Sequence, residues 1–223
     1  MSNFIIITYH DIVTHSYAST NDVSVSDFIN HMSLIKKMRL SVLSLSDISR
    51  LYANRTLPSR NSIALTFDDG YLGNVRYVMP EIIRQNFPAT FFVHTDYIGV
   101  KTERFHISWE DIKEMASVPG IEVQSHSKSH PDLTTLSPHQ LKLELKYSRQ
   151  KLFEVLGTDQ YAFAYPFGRF NRDVISNLRG IYRLAFTSSA DTKGIYTIPR
   201  IKINSLNRSP AAFKKLLEIT FNS

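Results

Sequence analysis

Ser62-Ile63-Ala64-Leu65-Thr66-Phe67-Asp68-Asp69-Gly70 is a buried-looking run that stops abruptly at two adjacent carboxylates and a glycine. A short run rich in apolar and β-branched residues, closed by a turn pair, reads as a strand from Ser62 to Phe67. In parallel α/β folds ligands bind at the carboxyl ends of strands, so this strand end presents Asp68 and Asp69 as candidate site residues. Asp-Gly is also a common turn pair, and taken alone the stretch leaves that reading open.

Similar runs recur on both sides: Phe4 to Tyr9, Val42 to Leu45, Thr90 to Val93, Ile121 to Gln124, Ala162 to Tyr165 and Leu184 to Thr187. Amphipathic stretches lie between them. Phe28, Met32 and Ile35 share a helical face, as do Val75, Val78, Met79 and Ile82, and then Leu141, Leu145, Leu152 and Leu156. Ser137, Pro138 and Gln140 combine an N-cap, an N1 proline and a capping box, with Gly157 as the stop. Ser108 with Asp111 and Ser209 with Pro210 mark further starts. Strands alternating with helices favour a parallel sheet, either open or closed into a barrel. Thr56 to Ser62 reads as a connection, with no repeat or linker elsewhere. A chain of 223 residues with 43% apolar content is therefore expected to form one domain over residues 1–223.

The chain has no cysteine, which excludes disulfides, thiolate ligands and a cysteine nucleophile. Any bound metal must use histidine and carboxylate. The net charge of +6 comes from 26 basic residues interleaved with 20 acidic ones, so no nucleic-acid partner is expected. An acidic polysaccharide or an anionic membrane surface remains compatible with it. No stretch approaches the ~18 apolar residues of a membrane span. Phe4 to Tyr9 is too short for a signal-peptide core, which makes cytoplasmic residence the expectation, ahead of the periplasm or cell surface.

Gln124-Ser125-His126-Ser127-Lys128-Ser129-His130 also follows an apolar run. Two histidines at i and i+4 converge on one metal when the segment turns helically, and neutral imidazole suits zinc and its neighbours. With Asp69, His126 and His130 as three protein ligands, a fourth position stays open for water, as a catalytic site requires, and Asp68 is free to act as general base. Tyr165-Pro166-Phe167-Gly168 fixes a loop whose backbone N–H can serve as an oxyanion donor, although Pro-x-Gly is also ordinary loop chemistry. Thr8-Tyr9-His10-Asp11 ends the first strand, where His10 is either a general acid or a local hydrogen-bonding residue. His94 and Asp96 could line the groove. His15, His31, His106 and His139 read as surface or loop residues, and Trp109 as packing the start of a helix.

The paired motifs Thr66-Phe67-Asp68-Asp69-Gly70 and His126-Ser127-Lys128-Ser129-His130 resemble those of the polysaccharide deacetylase family, carbohydrate esterase family four, from Tyr9 to about Arg200. The resemblance implies a distorted, incomplete (β/α) barrel of about seven parallel strands, with the groove at the strand C-termini. It makes Asp68 the catalytic base and Asp69, His126 and His130 the ligands of one divalent ion, zinc first, with cobalt, nickel or iron as alternatives. Phe167 then supplies the oxyanion N–H. Two features depart from the usual family pattern: no arginine precedes the Pro166 loop, and Ile198-Pro199-Arg200 stands where a late Leu-x-His is expected. The order is similar to that of the permuted branch of poly-N-acetylglucosamine deacetylases, in which an N-terminal Tyr-His-Asp supplies the acid, here His10. Arg200 is read as orienting a site carboxylate.

The implied reaction is metal-dependent N-deacetylation of N-acetylhexosamine units in a polysaccharide, oligosaccharide or glycan precursor. The rivals are a silent carbohydrate-binding domain that keeps the metal site and an O-acetyl esterase. The absence of an export signal adds the expectation of a lipid-linked or nucleotide-linked sugar precursor as substrate.

Overall fold

The computed structural model describes residues 4–14, 17–102, 104–189 and 194–222. His15 lies outside the described residues. Among the described residues eleven strands form in chain order: β1 Phe4–Tyr9, β2 Ile12–Val13, β3 Val23–Ser24, β4 Ser41–Val42, β5 Ser62–Asp68, β6 Ala89–Val93, β7 Ile121–Ser125, β8 Ala162–Ala164, β9 Leu184–Thr187, β10 Ile198–Pro199 and β11 Ile201–Lys202. The helices are α1 Val25–Lys37, α2 Leu45–Asn54, α3 Met79–Gln85, α4 Trp109–Ser117, α5 Pro138–Leu156, α6 Arg172–Leu178 and α7 Pro210–Asn222.

Eight strands run round the barrel in the order β10-β9-β8-β7-β6-β5-β1-β11, all parallel. The expected distorted, incomplete barrel is what forms. Its one unsealed seam lies between β10 and β11, and a single residue, Arg200, carries the chain across it. The Arg200 N–H donates to the Thr187 carbonyl at 2.8 Å on one side, and the Ile203 N–H to the Thr8 carbonyl at 2.9 Å on the other. Strand β5 is buried along its whole length, as a parallel strand with helices outside and a filled interior must be. Short β4 pairs with its first residues, and β6 with Thr66, Phe67 and Asp68.

Side-chain alternation separates the barrel interior from the layer under the helices. Ile5, Ile7, Tyr9, Ile63, Leu65, Phe67, Phe91 and Val93 join Phe28, Met32, Ile35, Met79, Ile82, Ile112, Phe213 and Leu217 of the helices. Ile6, Ala64, Phe92, Ala162, Ala164, Leu184, Phe186 and Ile198 fill the interior, where alanines leave room for the two phenylalanine rings. Asp68 continues the Ala64–Thr66 series, so it belongs to the interior at the carboxyl end.

Local signals held where the chemistry was strong. The capping boxes at Ser108 and Ser137 form, and Gly157 ends α5 in the left-handed conformation. The stretch from Val42 to Leu45 is extended only at Ser41–Val42, because Ser44 makes a capping box with Asp47 and starts α2. The face beginning at Val75 opens as a π-turn over Asn74–Val78 before α3. Pro80, with no N–H, cannot bond the carbonyl four residues back, and the turn before it widens.

His31, expected at the surface or in a loop, is fully buried on α1 beside Phe28 and Met32. Its Nδ1 lies 3.0 Å from the Tyr9 hydroxyl and its ring stacks on Phe213 at 4.0 Å. Burial pushes its pKa down to about 4. The folded-state value lies below the unfolded one, so protonation of the unfolded chain removes stability as pH falls from roughly 6.5 towards 4. About 3 kcal/mol is at stake for a shift of this size. Denaturant titrations at pH 7 and pH 4.5 are expected to show a smaller acid loss in His31→Gln than in the native chain, and equal losses would count against this origin.

Candidate active site

The expected site residues converge at the carboxyl end of the barrel. Asp69 leaves β5 with φ 71° and Gly70 follows with φ 68°, which swings the Asp69 carboxylate off the strand line. His126 and His130 follow β7 but are not on a helical turn, contrary to the expectation from their spacing. They converge through a loop in which Ser127 and His130 both adopt left-handed conformations, with φ 74° and 58°. Buried Glu144 of α5 holds this loop by accepting from the Lys128 and Ser129 N–H groups, each at 2.9 Å, and from the Ser129 hydroxyl at 2.6 Å. The His130 N–H donates to Ser127 Oγ at 2.9 Å. Of the seven non-glycine residues with positive φ among the described residues, Asp69, Ser127, His130 and Phe167 belong to this site. Backbone strain of this kind persists only where surrounding contacts hold it, and it clusters at functional sites.

The Nε2 atoms of His126 and His130 each lie 3.5 Å from Asp69 Oδ1, and the three ligand atoms fall within 4.8 Å of one another. Asp69 Oδ1 is buried with no hydrogen-bond partner. A carboxylate oxygen facing imidazole nitrogens from just beyond hydrogen-bond distance is what a gap shaped for a cation leaves. His126 Nδ1 donates to the Ala164 carbonyl at 2.8 Å, which leaves the Nε2 lone pair free to bind a metal. The donor set therefore fits a divalent ion. Burial would raise the Asp69 carboxyl, but His126, His10 and His130 hold it well below the usual range, and it stays ionised.

Asp68 is gripped from across the seam. The Arg200 guanidinium donates to both of its carboxylate oxygens, each at 2.7 Å, and to Thr66 Oγ1 at 3.2 Å. Both side chains are buried, and Arg200 lies over the Phe92 and Phe186 rings. Burial would raise the Asp68 carboxyl; Arg200, followed by His126 and His10, outweighs it and holds the group below its ordinary value. A carboxylate kept ionised and fixed in orientation can accept a proton.

A cavity of about 230 Å³ is lined by His10, Asp68, Asp69, His126, His130, Tyr165 and Phe167. All six sequence-derived site residues thus face one space. The His10 Nδ1 has no hydrogen-bond partner, and burial lowers its pKa against the opposing pull of Asp69 and Asp68. Phe167, with φ 58°, is largely exposed, and its ring lies 4.7 Å from that of His130. Gly168 has φ 69°, and a Cβ there would sit 2.8 Å from the Ser188 nitrogen. Gly168→Ala is expected to displace the Phe167 turn and slow turnover by about tenfold or more, up to the ~10²–10³ of outright loss of an oxyanion donor. Metal content should be retained; a variant with unaltered kcat would remove the turn from the chemistry.

Sequence reasoning placed His94 and Asp96 along the groove without giving either a role, and placed His106 in a loop or at the surface. His94 follows β6, is buried, and brings its Nε2 to 4.0 Å from Asp69 Oδ1. The signal was present: it stands at the end of the strand next to β5. Asp96 pairs with Lys128 at 2.5 Å. His106, expected in a loop or at the surface, is buried between Tyr71 and His94, with ring centroids 5.0 and 5.2 Å away. These residues flank a second cavity of about 360 Å³ that opens beside Asp69 and His130. Arg104 borders it, but its charge is taken up by Asp22 at 2.7 Å and Asp11 at 3.4 Å. His139 is exposed and Trp109 packs at the start of α4, both as expected.

Fold and site together define a metal-dependent hydrolase on a parallel (β/α) barrel, with Asp69, His126 and His130 as the candidate metal triad. The sequence profile of the polysaccharide deacetylase family matches residues 56–181, more than half of the chain, and the chain belongs to that family. It is 29% identical over 215 residues to YxkH of Bacillus subtilis, which is named as a polysaccharide deacetylase; the match spans 93% of this chain and 75% of that protein. It spans less than half the length of other curated relatives. The deacetylase PplD of Streptococcus pyogenes, solved in complex with acetate, superposes with a TM-score of 0.86 at 27% identity, covering 96% of this chain and 98% of that one. IcaB from Ammonifex degensii shares the fold, with a TM-score of 0.84 at 23% identity over 96% and 97% of the two chains. No helix among the described residues is long and apolar enough to cross a membrane.

Proposed function

We propose that this chain hydrolyses the amide of N-acetylhexosamine units in a glycan, releases acetate, and uses zinc held by Asp69, His126 and His130. The observation that carries this reading is the Arg200–Asp68 pair, which aims an ionised carboxylate into the cavity that holds the triad and His10. The acetate in the PplD structure is further support. A bound divalent ion would supply Lewis-acid polarisation of the acetyl carbonyl and acidify the attacking water. Asp68 accepts the proton of that water. The Phe167 N–H donates to the oxyanion that develops on the carbonyl, and His10 delivers a proton to the departing sugar amine. Assignment of the acid to His10, as in the poly-N-acetylglucosamine branch, is supported by the sequence itself: no histidine follows His139.

The test is acetate release by zinc-loaded protein from a panel of N-acetylated oligosaccharides and sugar precursors. Silence across the panel, with metal shown to be bound, would favour a carbohydrate-binding domain instead.

One observation keeps the O-acetyl esterase reading in play: the buried His10 Nδ1 has no partner to fix its tautomer. An alkoxide is a far better leaving group than the anion of an unprotonated amine, so ester cleavage needs the acid less. His10→Ala is expected to lower amide turnover by about 10²–10⁴-fold while sparing ester turnover. Equal losses on both substrates would remove His10 from the role of acid.

A further inference from the structure

We infer that Lys202 selects sugars bearing an anionic substituent, phosphate or carboxylate, close to the reactive acetamide. The inference rests on the deacetylase reading and narrows its substrate class. Strand alternation puts Lys202 on the same face as Arg200, and register pairs it with Thr8, two residues before His10. The two cations differ in what they meet. Arg200 pairs its charge with Asp68, whereas Lys202, half-buried, makes no ion pair with a carboxylate among the described residues. It lines the 230 Å³ cavity beside His10, Asn21 and Ser188.

Charge balance shows what the ammonium is for. Asp68, Asp69, Arg200 and Lys202 cancel, so a divalent ion at the triad leaves the cavity positive by two charges. Asp11 and Asp22, which lie outside the cavity lining, share Arg104 and leave one negative charge over, so the loaded cavity keeps a net positive charge. A partly desolvated ammonium without a counterion is costly unless a ligand supplies one, and a cavity of single sign concentrates ligands of the opposite sign. A neutral glycan gives Lys202 nothing to pair with. A phosphate or carboxylate on the sugar does, with the Asn21 and Ser188 side chains available as neutral donors.

The experiment compares zinc-loaded native protein with Lys202→Met on three probes: methyl N-acetylglucosaminide, N-acetylglucosamine 1-phosphate and N-acetylmuramic acid. The native chain is expected to favour at least one anionic probe over the neutral one by about tenfold or more in kcat/KM. In Lys202→Met that ratio should fall towards one, with the change in KM. The anionic probe that loses its advantage identifies the source as phosphate or carboxylate. A ratio that stays within twofold of the native one, or an equal loss on all three probes, overturns the inference; the latter would mean that Lys202 acts through His10. If no probe is hydrolysed the deacetylase reading fails by itself, and calorimetric binding of the same probes still decides Lys202. Native protein must then bind an anionic probe more tightly than Lys202→Met does, and equal affinities overturn the proposal.

Discussion

Replacing Arg200 with Met is expected to cut acetate release at pH 7 by about 10²-fold or more, to move the acid limb of the pH–rate profile upward, and to destabilise the protein. The cause lies in the pair, not in either residue alone. Native Asp68 is fully enclosed, and burial by itself pushes its carboxyl up; the bidentate guanidinium reverses that. Without Arg200 the carboxylate is buried without its guanidinium partner, so its pKa rises, and the share that holds a proton cannot accept another. Breaking one side of a buried ion pair costs about 3–5 kcal/mol, because the remaining charge is uncompensated. The pH dependence of stability should also change sign at this group. In the native chain the Asp68 pKa is depressed, so its contribution is present above the unfolded carboxyl value and is lost as pH falls through the folded one. In Arg200→Met the folded value lies above the unfolded one, and the same group loses stability as pH rises. Arg200→Lys should recover part of the rate, since charge returns without the bidentate grip. An unaltered pH–rate profile in Arg200→Met would refute this account of the base.

Removal of the divalent ion by a chelator is expected to bring acetate release to background, and added zinc or cobalt to restore it. The site itself should survive the treatment. The His126–His130 loop is held by Glu144 and Ser127, the His126 ring by the Ala164 carbonyl, and none of these bonds needs the ion. Circular dichroism of the stripped protein should therefore match that of the loaded form, while the thermal midpoint rises on reloading, because the ion binds only the folded state. Full activity in protein shown by elemental analysis to be metal-free would end the metal-dependent reading. His126→Ala gives the stricter version, since it removes a ligand and should resist rescue at metal concentrations that restore the native chain.

The strand ends were legible because the chemistry interrupts an apolar run. Ser62–Asp68 and Ile121–Ser125 each finish where polar residues begin, and those residues face the cavity. What the sequence could not convey was how His126 and His130 meet. Their spacing suggested a helical turn, but two left-handed residues and a glutamate from the following helix do the work, and no local pattern announces a contact with Glu144. Arg200 was read as orienting a site carboxylate, and the structure pairs it with Asp68; which carboxylate it meets was not legible, because the strands on either side of it are two residues long and show no periodicity. His31 and His106 were misplaced for a simpler reason. A single histidine carries no pattern of its own, although the position of His31, three residues after Phe28, would have put it on the buried face of α1.

The barrel's seam also sets the order in which the parts of the site are made during synthesis. Asp68, Asp69, His126 and His130 all precede residue 131, whereas the guanidinium that keeps Asp68 charged arrives at residue 200, on the segment that joins the two edges of the sheet. A nascent chain that has emerged through α5 has the residues to capture an ion but cannot yet hold its proton acceptor ionised. On the proposed mechanism the ion's ligands are all made before the residue that keeps the base charged, and that residue comes in with the last strands.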